Sequence, residues 1–349
     1  MCIICRGESL AGLEELDCSG CREVTEVPYI RGLKELICNN CPNLSRIPRI
    51  RGLRVLWCYD CPLLASIPPI KGLRELWCNG CPLLALVPYI PGLQELVCNE
   101  CPLLTSIPRI RGLRRLSCCN CPNLGSVPRI RGLRKLWCND CTKLKSIPLI
   151  YWLRDLMCSG CPLVESIPRI PGLKKLVCSG CPKLQSIPYV PGLRLLVCSK
   201  CPQLELIPRI PGLRELNCSD CAKLKSIPHI PGLWLLVCSK CPQLELIPRI
   251  RGLRELNCSD CPLVTSVPQF GTLRVLWCSG CPNLKLISSL PDSAYLKLSK
   301  VCLHQDENPF TDRMRFYQPL LGKLARVAHI ATHSQLPPDL VLMAATYII

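Results

Sequence analysis

The sequence predicts a repeat solenoid. Twenty-residue coils stack so that each adds one short strand to a parallel sheet, with an extended, helix-free opposite side and a small helical cap at the C-terminal end. Three observations predict it. Cys recurs at 18, 38, 58 and every twentieth residue to 278, with a second Cys three residues later in each copy, through 281. Pro holds one fixed place in thirteen of these fourteen copies, from Pro28 to Pro268. Hydrophobic residues make up 48% of the 349 residues and charged ones 19%, a balance that excludes disorder and calls for a packed core. The 35 Pro and 21 Gly follow no three-residue period, which excludes collagen, and with only 3 Phe the core must be aliphatic and thiol.

Taken in chain order, residues 1–12 precede the first coil and are expected to cap it. The opening Met1-Cys-Ile-Ile-Cys-Arg-Gly-Glu is too short and too polar for a signal sequence, and no uncharged apolar run reaches about 18 residues. The expectation is a protein without a membrane span in reducing, cytoplasmic surroundings, its thiols reduced. Residues 13–303 form the solenoid of about fifteen coils. With Leu33 as position 1, the unit reads L-x-x-L-x-C-x-x-C-P-x-L-x-x-I-P-x-I-x-G, as in Leu53 to Gly72. Apolar residues at positions 4 and 6 flank a variable residue, the alternation of a short strand. Pro at position 16, and at position 10 in eleven copies, forbids helix across the rest of the coil and favours extended or polyproline backbone. Gly at position 20 in twelve copies suits the bend into the next strand. One coil cannot bury its own apolar stripe, so the copies must stack at about 4.8 Å per strand. Residues 197–221 and 237–261 differ only at Pro211 against Arg251, so the array grew by copying a two-coil block.

This unit resembles leucine-rich repeats, specifically the short proline-bearing class seen in bacterial effectors. Ser-Gly-Cys-Pro-x-Leu phrases at 179–184 and 279–284 also resemble repeats of plant immune receptors; the copy starting at Ser159 departs by ending in Val164. The resemblance covers about residues 10–303. It implies that positions 6 and 9, normally Leu and then Asn or Cys, point inward and form a ladder. It further implies that positions 2, 3, 5, 7 and 8 point out of a concave sheet that binds protein partners.

Two other uses of the cysteines compete with a ladder. C-x2-C followed sixteen residues on by C-x2-C lies within the spacing range of four-thiolate zinc sites. Disulfides between neighbouring coils satisfy the Cα separation, but parallel Cβ vectors make the dihedral unfavourable. Cys packs well as a small hydrophobe, so the reading is a core ladder, with no metal ligands and no cofactor.

On the outward positions, position 2 is cationic in eleven of fourteen coils, and position 5 is largely apolar. The candidate partner-binding residues are therefore Arg54, Trp57, Arg74, Trp77, Arg114, Arg115, Arg134, Trp137, Arg274 and Trp277, since exposed Trp flanked by Arg is the composition of binding hot spots. A solvated charge row beside β-forming residues would give the same pattern. A basic rim gathers Arg109, Arg111, Arg129 and Arg131 with Lys135, able to hold phosphates or an acidic protein. The net charge of +18 raises nucleic acid as a rival partner. The outward positions of the groove are nearly balanced in charge, however, so an acidic or mixed protein partner is favoured.

After Cys302 the composition changes, and residues 304–349 are read as a helical segment, with helical spacing over 312–333. His329 and His333 are four apart on that stretch with no Glu between them, and are not assigned to a metal. Leu336-Pro-Pro-Asp-Leu resembles the opening of an F-box, which would make the chain an adaptor recruiting a target to a ubiquitin ligase; a capping helix is the competing reading. Four His, no glycine-rich phosphate loop and no nucleophile elbow leave no assembled catalysis. The expected function is a non-catalytic protein-interaction scaffold.

Overall fold

The computed structural model describes residues 2–268 and 270–284, together with the backbone of 286–287. The expected fifteenth coil, the helix over 312–333 and the segment 336–349 lie outside the described residues.

Fourteen three-residue strands, from Glu15–Asp17 to Val275–Trp277, form one parallel sheet in sequence order. Every coil has the same length, so the register never shifts: Leu16 lies opposite Leu36, and Leu256 opposite Leu276. The ladder extends one residue past each strand, where the Cys18 N–H donates to the Ile37 carbonyl at 2.8 Å. No helix occurs among the described residues. Instead, position 14 makes isolated parallel bridges on the opposite side, such as Ser106 with Ser126, as the prolines require.

Seven positions per coil face inward: 1, 4, 6, 9, 12, 15 and 18. In one coil these are Leu113, Leu116, Cys118, Cys121, Leu124, Val127 and Ile130, none more than 5% exposed. They merge with those of neighbouring coils into one continuous core. No disulfide occurs among the described cysteines, and all of those except Cys2, Cys5 and Cys281 are buried. The position-9 thiols form the ladder. Each donates to the position-6 carbonyl of the preceding coil, as Cys141 does to Cys118 O at 3.1 Å and Cys201 to Cys178 O at 3.2 Å. Past the first coil, no backbone N–H among the described residues donates to these carbonyls, so the thiol supplies a donor where a purely aliphatic residue would supply none.

Two bends make the coil. At position 20, Gly52 takes φ +92°, a region closed to other residues at low cost. At position 8 all fourteen coils are left-handed, with φ between 53° at Asn40 and 68° at Gly20. Gly, Asn or Asp fills most of these places, the residues that tolerate this conformation. Position 8 is therefore a turn position first and a surface position second.

Position 7 also departs from the expectation of a free outward side chain. Asn39, Asn99 and Asn139 are buried. Asn99 Oδ1 accepts from the Cys119 backbone N–H at 2.8 Å, and Asn139 Oδ1 from that of Ser159 at 2.9 Å. In later coils Ser takes over, with Ser199 Oγ donating to Ser179 Oγ at 2.9 Å. A second polar ladder thus runs beside the thiol ladder, because the left-handed residue that follows turns the position-7 side chain back along the stack.

Candidate partner-binding face

On the strands, position 4 points into the core, leaving positions 3 and 5 on the concave side and position 2 at its edge. Strict register turns each position into a row about 4.8 Å per step. The position-2 row carries cations in six consecutive coils: Arg114, Arg134, Arg154, Lys174, Arg194 and Arg214, all exposed. Arg54, Arg74 and Arg274 of the same row are also exposed. Within this run, Arg114, Arg134, Arg154 and Arg194 have no carboxylate within ion-pair distance among the described residues. Position 3 is acidic early, with Glu75 facing Glu95, and turns basic in mid-array. Burial, then the neighbouring Glu95 and Glu35, raises the Glu75 carboxyl above its ordinary value. At the changeover Arg115 pairs with Glu95 at 2.8 Å, and beyond it Lys135 lies 3.9 Å from Asp155. Both cations are half-buried, so they hold the sheet edge as much as they present charge.

The tryptophans of position 5 are not the exposed anchors the sequence suggested. Trp77 is 2% exposed and Trp137 8%, while Trp57 and Trp277 are half-buried. Stacking along the row is the cause. Trp57 lies on Trp77 with ring centroids 4.7 Å apart and planes 13° from parallel. Trp137 packs with Cys119 and Met157, with Val177 beside them, in a second apolar cluster on the concave side. The indole N–H groups of Trp57, Trp77 and Trp137 are buried without a hydrogen-bond partner. A residue repeated every coil covers its neighbours, so a row of large side chains buries itself.

The basic rim is exposed at Arg109, Arg111, Arg129 and Arg131. The Arg129 guanidinium sits over the Tyr151 ring, 5.1 Å from its centroid. Arg131 joins Arg114, Arg134 and Trp152 in lining a depression together with Gly112 and Gly132. Trp152 is 65% exposed and Tyr151 56%. These two aromatics were not singled out from the sequence. The signal was there: Tyr151-Trp152 replaces the usual cation or Pro and then Gly at positions 19 and 20. The surface thus joins one exposed indole, one Tyr held under a guanidinium and at least three exposed arginines, a composition able to seat a carboxylate-bearing chain.

The fully buried position-6 thiols offer no such chemistry. Burial raises the Cys58, Cys78 and Cys98 thiols far above the ordinary range, so they stay protonated. A redox or metal-binding cysteine needs the opposite. Outside the ladder, Cys2, Cys5 and Cys21 gather at the N-terminal end. No helix of the described residues is long and apolar enough to cross a membrane.

Among solved structures, the chain is similar to a leucine-rich repeat protein from Bacteroides ovatus ATCC 8483, with a TM-score of 0.54 at 19% sequence identity. The match covers 76% of this chain and 79% of that one. No protein-family model and no curated protein matches the sequence. The likeness shows the fold: a solenoid of the leucine-rich-repeat type.

Proposed function

We propose that this leucine-rich-repeat-type solenoid is a non-catalytic scaffold that holds an acidic segment of a partner protein. The segment lies along the edge from Arg109 to Arg134, with Trp152 as its anchor. The observation that carries this reading is the depression bounded by Arg114, Arg131, Arg134 and Trp152. There, exposed guanidinium groups without acidic neighbours surround an indole that its own coil leaves uncovered. Planar guanidinium groups match carboxylates in pairs, and a rigid aromatic adds area at low entropic cost. The concave cluster of Trp137 and Met157 adjoins this edge and extends the contact with apolar surface.

Affinity capture with the full chain tests the proposal. Arg114→Glu/Arg134→Glu, and separately Trp152→Ala, are expected to lose at least tenfold of the captured partner. Arg209→Glu/Arg249→Glu, which reverses two rim charges elsewhere, is expected to retain it. Equal loss in both double variants would reduce the effect to net charge, and loss of capture on nuclease treatment would replace protein with nucleic acid; either contradicts the proposal.

A further inference from the structure

The first coil lacks what every later coil has. From Cys41 to Cys281, each position-9 thiol donates to a carbonyl of the coil before it, at 3.1 to 3.3 Å. Cys21 holds position 9 in the first coil, with no coil before it. Its Sγ lies 3.6 Å from Cys5 Sγ instead, and Cys5 Sγ lies 3.7 Å from Cys2 Sγ. The three sulfurs are all within 4.8 Å of one another, and among the described residues no other group of three metal-ligating side chains converges.

We infer that Cys2, Cys5 and Cys21 form a three-thiolate zinc site that fastens the N-terminal segment over the open end of the solenoid. The geometry fits. Tetrahedral zinc with sulfur at about 2.3 Å places two thiolates about 3.8 Å apart, close to the separations found here. A disulfide would need sulfurs at about 2.05 Å. The ligands are also preset. The Arg6 N–H donates to the Cys2 carbonyl at 3.0 Å and the Gly7 N–H to the Ile4 carbonyl at 3.2 Å, with Gly7 at φ +69°. This tight turn holds the C-x2-C pair on one side. Cys21 is 5% exposed and fixed in the first coil, where its N–H donates to the Cys18 carbonyl at 3.3 Å. Cys2 and Cys5 remain half-exposed, so an ion has a route in.

Ile3, Ile4 and Leu10 pack only partly against the core. A segment this short cannot bury a core of its own, and a metal is a common substitute for a core that is too small. On binding, the three thiols release their protons to solvent and ligate the ion as thiolates, leaving one coordination position for water or for a donor from outside the cluster. The trio is hidden in the sequence because the cysteines invite comparison only between repeated pairs, and the sixteen-residue step from Cys5 to Cys21 falls outside their twenty-residue rhythm.

The test is metal analysis of the full chain purified under reducing conditions, with Co2+ as a spectroscopic probe. The expected result is one zinc per chain, and on Co2+ replacement a thiolate-to-cobalt charge-transfer band with the visible bands of tetrahedral cobalt. Cys2→Ser/Cys5→Ser is expected to lose both while keeping the circular dichroism of the solenoid; Cys161→Ser is expected to keep both. No bound metal in the reduced protein, a disulfide within the trio by non-reducing mass spectrometry, metal content unchanged in Cys2→Ser/Cys5→Ser, or one ion for every two coils would each overturn the inference.

Discussion

A thiol in this core stands in for both an aliphatic side chain and a hydrogen-bond donor, and its proton is what makes that possible. At position 9 the S–H reaches the preceding coil, as from Cys101 to Cys78 O at 3.2 Å. Ionisation would remove the donor and place a charge among aliphatic groups. Burial accordingly raises Cys101 and Cys221 from the ordinary 9.0 to about 11, and Cys201 and Cys261 to about 12. The folded state holds these protons more tightly than the unfolded chain. The stabilisation is therefore complete below pH 9 and is lost as pH rises through the folded values, with a slope of about 1.4 kcal/mol per pH unit for each such thiol. Melting temperature is expected to change little between pH 6 and 8 and to fall steeply above about pH 9, as thermal melts followed by circular dichroism would show. A chain whose thiols were exposed or held as thiolates would melt without that fall.

A single coil is one strand, two bends and a proline-stiffened return, and its bends decide how closely coils stack. The left-handed residue at position 8 makes one of the two. At Gly80, with φ +59°, an added Cβ would stand 2.0 Å from Asp60 Oδ1. Gly125 has open space around it and no such backbone requirement. Gly80→Ala is expected to cost roughly 1 to 2 kcal/mol in denaturant unfolding, and Gly125→Ala to change stability by less than about 0.5 kcal/mol. Equal effects would mean that the position-8 bend carries no strain. Much of the coil is legible in the sequence, because Leu36, Cys38, Cys41 and Leu44 recur at spacings that only one stacking satisfies. The bend at position 8 was legible too, in the run of Gly20, Asn40, Asp60 and Gly80, but variability there resembles that of a free surface position. What the unit pattern hides is contact between copies. Trp57 and Trp77 read as exposed when each coil is taken alone, and become covered only when one ring lies on the next.

At the scale of the whole molecule, the solenoid separates its tasks. Consistently apolar inward positions build a continuous core, while each outward row is free to change from coil to coil, so the surface can be specialised locally without altering the fold. The candidate site shows that freedom. Its cations were legible in Arg114, Arg131 and Arg134, whereas Trp152 went unnoticed because it replaces a residue expected to be Gly. The zinc cluster joins two sequence segments that the repeat pattern treats as unrelated, and only the closure of the N-terminal end brings them together. All of this depends on coils stacked with their sulfurs dry inside. The most direct test is a thiol titration of the reduced native chain with a water-soluble disulfide reagent, repeated in denaturant. The paired cysteines from Cys38 to Cys261 are expected to stay protected in the native protein, and all 32 thiols to react once it is unfolded. Rapid reaction of most of those paired cysteines in the native state would contradict that expectation.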